Sequence, residues 1–353
     1  MSLVETRLDA LRDNAGIDQW ETRARRWGAF DYFRRETTRP GGVVTPELIQ
    51  KAYNSVGRDL EIPVINFDTG VVVQNVTQPV LITGGPSTSE LVLVTFVNYY
   101  FGFLIHPAAH RNNEISMQRE FEEQIKKYDY ALMQALDVAC LTALEAAKTQ
   151  VLNDDLGGRY RFEGDMLVAN DSDKEFVMGD LDVVLAEQNA MGDYSVIGNA
   201  STQSLVRRYL LEKGQYNTDN KTYQYDNKDW FWTSNLSNAA ENQATGFILP
   251  NGRVGMLHQF GADSIMGNST HKHQWGIERL PYSGLEMGTY QYDDAVNASA
   301  LHGAASAHLT ATKVEAYGFH NATAIVTPYN SDPANLAGEI LKFAVDKDDI
   351  PPA

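Results

Sequence analysis

At 353 residues, with 43% hydrophobic and 21% charged side chains, the chain is long enough to bury one large core or two moderate ones and reads as a folded protein. A formal net charge of −17 disfavours general affinity for nucleic-acid phosphate, which needs a field of Lys and Arg. No stretch reaches the roughly 18 consecutive apolar residues of a membrane span, and Met1-Ser2-Leu3-Val4-Glu5 lacks a secretion signal, so the protein is expected to stay in the cytoplasm. In chain order, a short helix is expected from Val4 to about Arg12, and the first segment ends near Pro40-Gly41-Gly42, where a helix cannot continue. Between Arg23 and Arg39 lie six arginines (Arg23, Arg25, Arg26, Arg34, Arg35, Arg39) interleaved with Trp27, Phe30, Tyr32 and Phe33. Arg with aromatic residues is the composition of protein contact surfaces, so Arg25, Arg26, Trp27, Phe30, Phe33, Arg34 and Arg35 are candidate interface residues, in preference to a nucleic-acid site.

From Leu60 to Phe103 the sequence reads as extended chain: Ile62, Val64 and Ile65, then Val71-Val72-Val73, then Leu91-Val92-Leu93-Val94, with turn chemistry at Thr83-Gly84-Gly85-Pro86. Between Glu114 and Leu152 there is no Gly or Pro, and Phe121, Ile125, Tyr128, Leu132, Leu136, Ala139 and Leu144 recur at helical spacing. One helix of that length would span roughly 55–60 Å. A compact domain rarely needs such a rod. The lone Cys140 excludes an intrachain disulfide and reads as a small buried residue.

After the rod, Asp154-Asp155-Leu156-Gly157-Gly158 is a turn, and Tyr160-Arg161-Phe162 with Met166-Leu167-Val168 reads as a hairpin. Asp180 is the expected N-cap of a helix carrying Leu181, Val184, Leu185 and Met191. A short strand follows at Tyr194–Gly198, then a helix capped by Asn199 or Ser201, with Leu205, Val206, Tyr209 and Leu210 on its apolar face and an end at Gly214. Further strands are expected at Phe247–Leu249, Val254–Leu257, His308–Phe319 and Ala324–Thr327.

Signatures of catalysis are missing. His106-Pro107-Ala108-Ala109-His110 has the i,i+4 spacing of a zinc pair without the catalytic Glu, and His271 and His273 would point to opposite faces of a strand. There is no nucleophile elbow, phosphate loop or dinucleotide fingerprint. The acid pairs Asp154-Asp155, Asp293-Asp294 and Asp348-Asp349 sit in polar surroundings, with no visible neighbour to separate their pKa values. No enzyme activity, metal or cofactor is expected.

The order of parts, with Asn54-Ser-Val-Gly-Arg-Asp-Leu-Glu-Ile-Pro63, Asp137-Val-Ala-Cys-Leu-Thr-Ala-Leu-Glu-Ala-Ala-Lys-Thr-Gln-Val151 and Tyr194-Ser-Val-Ile-Gly-Asn-Ala-Ser-Thr-Gln-Ser-Leu205, resembles the major capsid proteins of tailed bacteriophages, the Hong Kong phage type. The resemblance covers nearly the whole chain. It implies an α+β fold with an N-terminal arm (1–53), an extended β-hairpin loop (54–104), a peripheral domain with a spine helix (105–174), a mixed α/β axial domain (175–320) and a return to the peripheral domain with a C-terminal tail (321–353). It further implies a virion capsid built in the host cytoplasm from pentamers and hexamers of this chain, enclosing double-stranded DNA, with a separate scaffolding protein and a portal as partners and no membrane. Some relatives weld the shell by an isopeptide bond from a lysine of the hairpin loop, but this sequence has no Lys from Ala52 to Ile125. The rival of the same fold is a bacterial nanocompartment shell around a cargo enzyme; the rival of another class is a metal-dependent hydrolase using His106 and His110.

Overall fold

The computed structural model describes residues 3–14, 26–55, 60–65, 89–110, 114–148, 159–163, 166–187, 192–212, 224–225, 228–267, 273–294, 314–328 and 339–348. The expected strand at Val71–Val73, the turns at Thr83–Pro86 and Asp154–Gly158, the helix end at Gly214 and residues 308–313 lie outside these.

Three helices open the chain: α1 (Leu3–Asn14), α2 (Gly28–Thr37) and α3 (Pro46–Asn54). Pro46 fits the first position of α3 because its missing N–H has no helical partner there, and the Thr45 side chain accepts from Leu48 N. Strands β1 (Leu60–Ile65) and β2 (Ser89–Val94) form an antiparallel ribbon in register from Leu60↔Val94 to Ile65↔Ser89. β3 (Val97–Ile105) leads into the rod, α4 (Glu114–Ala147), whose 34 residues extend about 50 Å.

The rest of the chain builds two sheets. β4 (Tyr160–Glu163), β5 (Met166–Ala169), β6 (Tyr194–Gly198), β7 (Gln224–Tyr225), β8 (Lys228–Trp232), β9 (Asn242–Pro250) and β14 (Leu341–Asp346) form a mixed seven-stranded sheet in the order β4-β5-β14-β9-β6-β8-β7. Helices α5 (Lys174–Glu187) and α6 (Ala200–Glu212) cover one face, burying Val177, Leu181, Val184, Leu185 and Val206 against Leu167, Val196, Trp230, Ile248 and Phe343. β10 (Gly255–Gln259), β11 (His273–Arg279), β12 (Glu286–Asp294), β13 (Val314–Val326) and β3 form the second sheet, with the short α7 (Ala262–Met266) beside it. β3 runs along one edge of β13, while β12 and then β10 share the other.

The rod and α2 lie between the sheets. Met117, Phe121, Ile125, Leu132, Met133, Leu136, Cys140 and Leu144 form the buried stripe of α4; it meets Phe101, Phe103, Tyr317 and Phe319 from one sheet and shares a core with Ile197, Phe247 and Leu249 from the other. Each fully buried large side chain contributes about 1.5–3 kcal/mol of transfer energy, an upper estimate. By length and composition α4 could cross a membrane, yet its buried stripe carries Asp129 and Asp137 and packs against the chain's own sheets.

Three expectations are corrected. The helix expected from Asp180 begins at Lys174, after a 3₁₀ turn at Asp171–Asp173; Asp180 instead accepts from the Tyr160 hydroxyl at 2.7 Å. Met191 and Leu152, expected on helices, lie outside the described residues, and the rod ends at Ala147. The two expected late strands are one, β13, because paired neighbours on both edges hold it straight from Val314 to Val326. The expected boundary at residue 320 falls inside it.

Candidate functional site

The arginine-rich segment becomes α2, and its N-terminus is closed by an acid from the rod. Asp137 Oδ1 accepts from Phe30 N at 3.0 Å, as an N-cap side chain would, and its negative charge sits at the positive end of the helix. The other oxygen accepts from Thr233 Oγ1 at 2.6 Å and Asn235 Nδ2 at 2.8 Å. Burial raises the Asp137 carboxyl above its ordinary pKa, opposed by these three donors. Gly28 is required by close approach: a Cβ there would stand 2.5 Å from the Trp232 backbone.

Two turns upstream on the rod, buried Asp129 accepts from Tyr282 N and Ser283 N, both at 3.0 Å. The Arg34 guanidinium donates to the Ser283 carbonyl of the same turn, and burial lowers its pKa. Arg35 donates to Asp229 at 2.7 Å and Ser195 at 2.9 Å, with its guanidinium 4.6 Å from the Phe231 ring. Glu36, fully buried, accepts from Gly252 N and pairs with Arg35 at 2.9 Å and Arg39 at 3.5 Å. Hydrogen bonds and ion pairs of this kind tie α2, the rod and the two sheets to one another.

Trp27, Phe30 and Phe33 are buried inside this chain, at 4%, 0% and 0% exposure. The expectation that these rings anchor a neighbouring subunit is therefore corrected: as placed they have no face left for a partner. Arg34 and Arg35 are half-buried and bonded within the chain, Arg26 is exposed with its guanidinium 5.5 Å from the Trp27 ring, and Arg25 lies outside the described residues. Arg7 of α1 has a similar role, buried between Glu114 at 3.1 Å and Glu315 at 3.2 Å and flanked by the Phe121 and Tyr317 rings.

The histidine pair does not assemble a metal site. His110 Nδ1 bonds Ser116 Oγ at 2.7 Å and Nε2 contacts Glu120, and no group of three or more potential ligands occurs among the described residues. Of the other sequence candidates, His271, Asp154, Asp155 and Asp349 lie outside the described residues. Cys140 is buried, and burial pushes its thiol far above the ordinary value, which leaves it a packing residue.

Exposed apolar groups gather elsewhere. Leu93 of β2 and Val97 and Tyr100 of β3 are all more than half exposed, on the strand that carries the ribbon into the second sheet. On α5 Phe176 and Val183 are exposed, and Ile115 is exposed at the start of the rod. Asp129, Asp137, Glu36 and Arg7 escaped the sequence reading, although two acids eight residues apart inside an apolar helical stripe were a legible signal.

No family model and no curated protein matches the sequence. Among solved structures, the chain is similar to a Mycobacterium phage Che8 protein (10% identity, 85% of this chain and 88% of that one, TM-score 0.44). It is also similar to the capsid of Ralstonia phage GP4 (8% identity, 84% and 85%, TM-score 0.43) and to the Cyanophage Pam1 capsid (10% identity, 83% and 86%, TM-score 0.44).

Proposed function

We propose that this chain is a major capsid protein that assembles into pentamers and hexamers of an icosahedral shell around double-stranded phage DNA. The observation that carries the reading is the architecture: a 34-residue rod held between two sheets, a β-ribbon leading into one sheet, and a late strand, β14, inserted into the other. An enzyme of this size needs a cleft and convergent reactive groups. A shell subunit needs long rigid elements and several separate contact patches, because closed shells repeat heterologous contacts whose rotation closes. The exposed apolar groups of β2, β3 and α5 lie on separate elements, as such patches would.

In this reading the buried acids of α4 keep the arm helix, the rod and both sheets in one rigid body, so the contact patches keep fixed mutual angles. A scaffolding protein and a portal belong to the proposal as assembly partners. The chain's net charge of −17 fits DNA that is enclosed rather than gripped. The test is the nucleic-acid content of purified particles: packaged double-stranded DNA supports the phage shell, whereas DNA-free particles holding a cargo protein would replace it with a nanocompartment.

A further inference from the structure

Between β3 and the rod lies a 3₁₀ turn, Pro107–His110, which brings a histidine against the start of α4. Ser116 and Glu120 are four residues apart on α4 and so share one of its faces. His110 touches both. Its Nδ1 is 2.7 Å from Ser116 Oγ, and its Nε2 contacts Glu120 Oε2. One ring thus joins a hydroxyl to a carboxylate through its two nitrogens, the order of nucleophile, base and orienting acid found in acyl-transfer sites.

The chemistry of the three groups sets the direction of the bonds. A carboxylate only accepts, so Nε2 carries the imidazole proton and donates it to Glu120. In the neutral ring the other nitrogen is then an acceptor, and the Ser116 hydroxyl donates to it. That is the tautomer a general base needs. Ser116 is the third residue of the 34-residue α4, and helix side chains lean toward the N-terminus, so its Oγ stands over the first turn, at the positive end of the helix. Negative charge developing on a carbonyl attacked there is favoured by that field. Solvent reaches the group: the His110 side chain is 17% and that of Glu120 33% exposed, Ser116 is half-buried, and the adjacent Ile115 is exposed.

We propose that Ser116 is a nucleophile, with His110 as its base and Glu120 positioning the ring, and that the site hydrolyses small uncharged esters. Glu114, Glu120 and Glu315 outnumber Arg7 and Arg119 at this end of the rod, which disfavours an anionic substrate, while Ile115 offers apolar contact to a short acyl group. Ser116 Oγ attacks the ester carbonyl as its proton moves to His110 Nδ1; the new C–O bond forms, and collapse of the adduct breaks the bond to the leaving alcohol, which takes that proton. Water adds to the acyl-serine by the same route, releasing the acid and restoring the hydroxyl. The chemistry needs one folded subunit and is independent of the shell reading.

Unassembled full-length subunits are treated with a fluorescent fluorophosphonate, the labelled residue is identified by peptide mass spectrometry, and turnover is followed with p-nitrophenyl acetate. A label at Ser116 is expected, absent from Ser116→Ala, whose alanine suits a helix and keeps the fold. His110→Gln removes the base and should slow labelling and hydrolysis by about 10²–10⁴-fold. Glu120→Gln donates to Nε2 and so moves the ring proton onto Nδ1; it should slow both by about 10²-fold or more with helix content unchanged, which loss of a merely structural hydrogen bond does not do. A folded parent that takes no label, or takes it on another residue, would overturn the proposal. So would turnover no faster than that of Ser116→Ala, or labelling of Ser116 that His110→Gln leaves unchanged.

Discussion

Replacing Asp137 by Leu tests whether the acid of the rod holds the arm helix. The substitution keeps the branched outline, adds bulk at a fully buried position and removes a buried carboxylate; it also strips three donors of their acceptor. Asn235 is half-buried and can turn to water, and Thr233 keeps its bond from Asn235 N at 3.1 Å but loses an acceptor for its own hydroxyl. Phe30 N is enclosed and has no alternative partner, so its full desolvation cost of about 1–3 kcal/mol remains, with about 1 kcal/mol more from Thr233. Loss of the negative charge at the N-terminus of α2 adds up to about 1 kcal/mol. Set against the relief of burying a carboxylate, the net loss is expected at about 2–4 kcal/mol. It should be local: hydrogen exchange of residues 28–37 should accelerate before that of the rod, and the urea midpoint should fall. Asp137→Asn retains an acceptor for Phe30 N and should cost less. A leucine variant within about 0.5 kcal/mol of the parent, with α2 exchange unchanged, would refute the capping argument.

Proline at Ala131, on the exposed side of the rod, removes a helical donor and clashes with the preceding turn at a cost of about 3 kcal/mol or more; particles should fail to form, whereas Ala131→Ser should assemble normally in electron micrographs. Phe30→Ala should destabilise the isolated subunit by about 3–5 kcal/mol in urea unfolding, because the ring is fully buried in this chain rather than free for a neighbour. Particles boiled in detergent should release monomers of 39.3 kDa on electrophoresis, since the hairpin region from Ala52 to Ile125 contains no lysine for a covalent weld; a ladder of multimers would place a crosslink elsewhere. His258 is held neutral by burial, which lowers its pKa to about 4, with the Asn321 contact opposing. The unfolded chain binds its proton below about pH 6.5, before the native state does, so stability is retained above that pH and falls by about 1–3 kcal/mol as pH drops toward 4; His258→Gln should flatten that part of the pH–stability curve.

The rod, the early ribbon and most strands were legible because each rests on a local pattern: period 3.6 without Gly or Pro from Glu114, period 2 near Ile62 and Leu91, and a cap at Asn199, which accepts from Thr202 N at 2.9 Å. What the pattern could not reveal was partnership. Trp27 and Phe30 have the composition of an interface, and only the fold shows that their interface is with their own rod and sheet. Asp180 had the residue type of a cap, but its hydrogen bond with Tyr160 is a tertiary contact that no local rule encodes. The pairing of Trp275 with Tyr290 beside Gly318 was not legible either, because these residues lie on three strands that meet only through long-range register. Of the seven interface candidates, Trp27, Phe30 and Phe33 are buried in this chain and Arg34 and Arg35 bond within it, contacts that composition alone does not encode.

The central claim is that this chain builds a closed shell, and electron microscopy of the full-length protein purified with its assembly partners tests it most directly. Uniform closed particles with five- and six-fold clusters of this subunit are expected. A protein that stays monomeric or dimeric with those partners supplied would contradict the account.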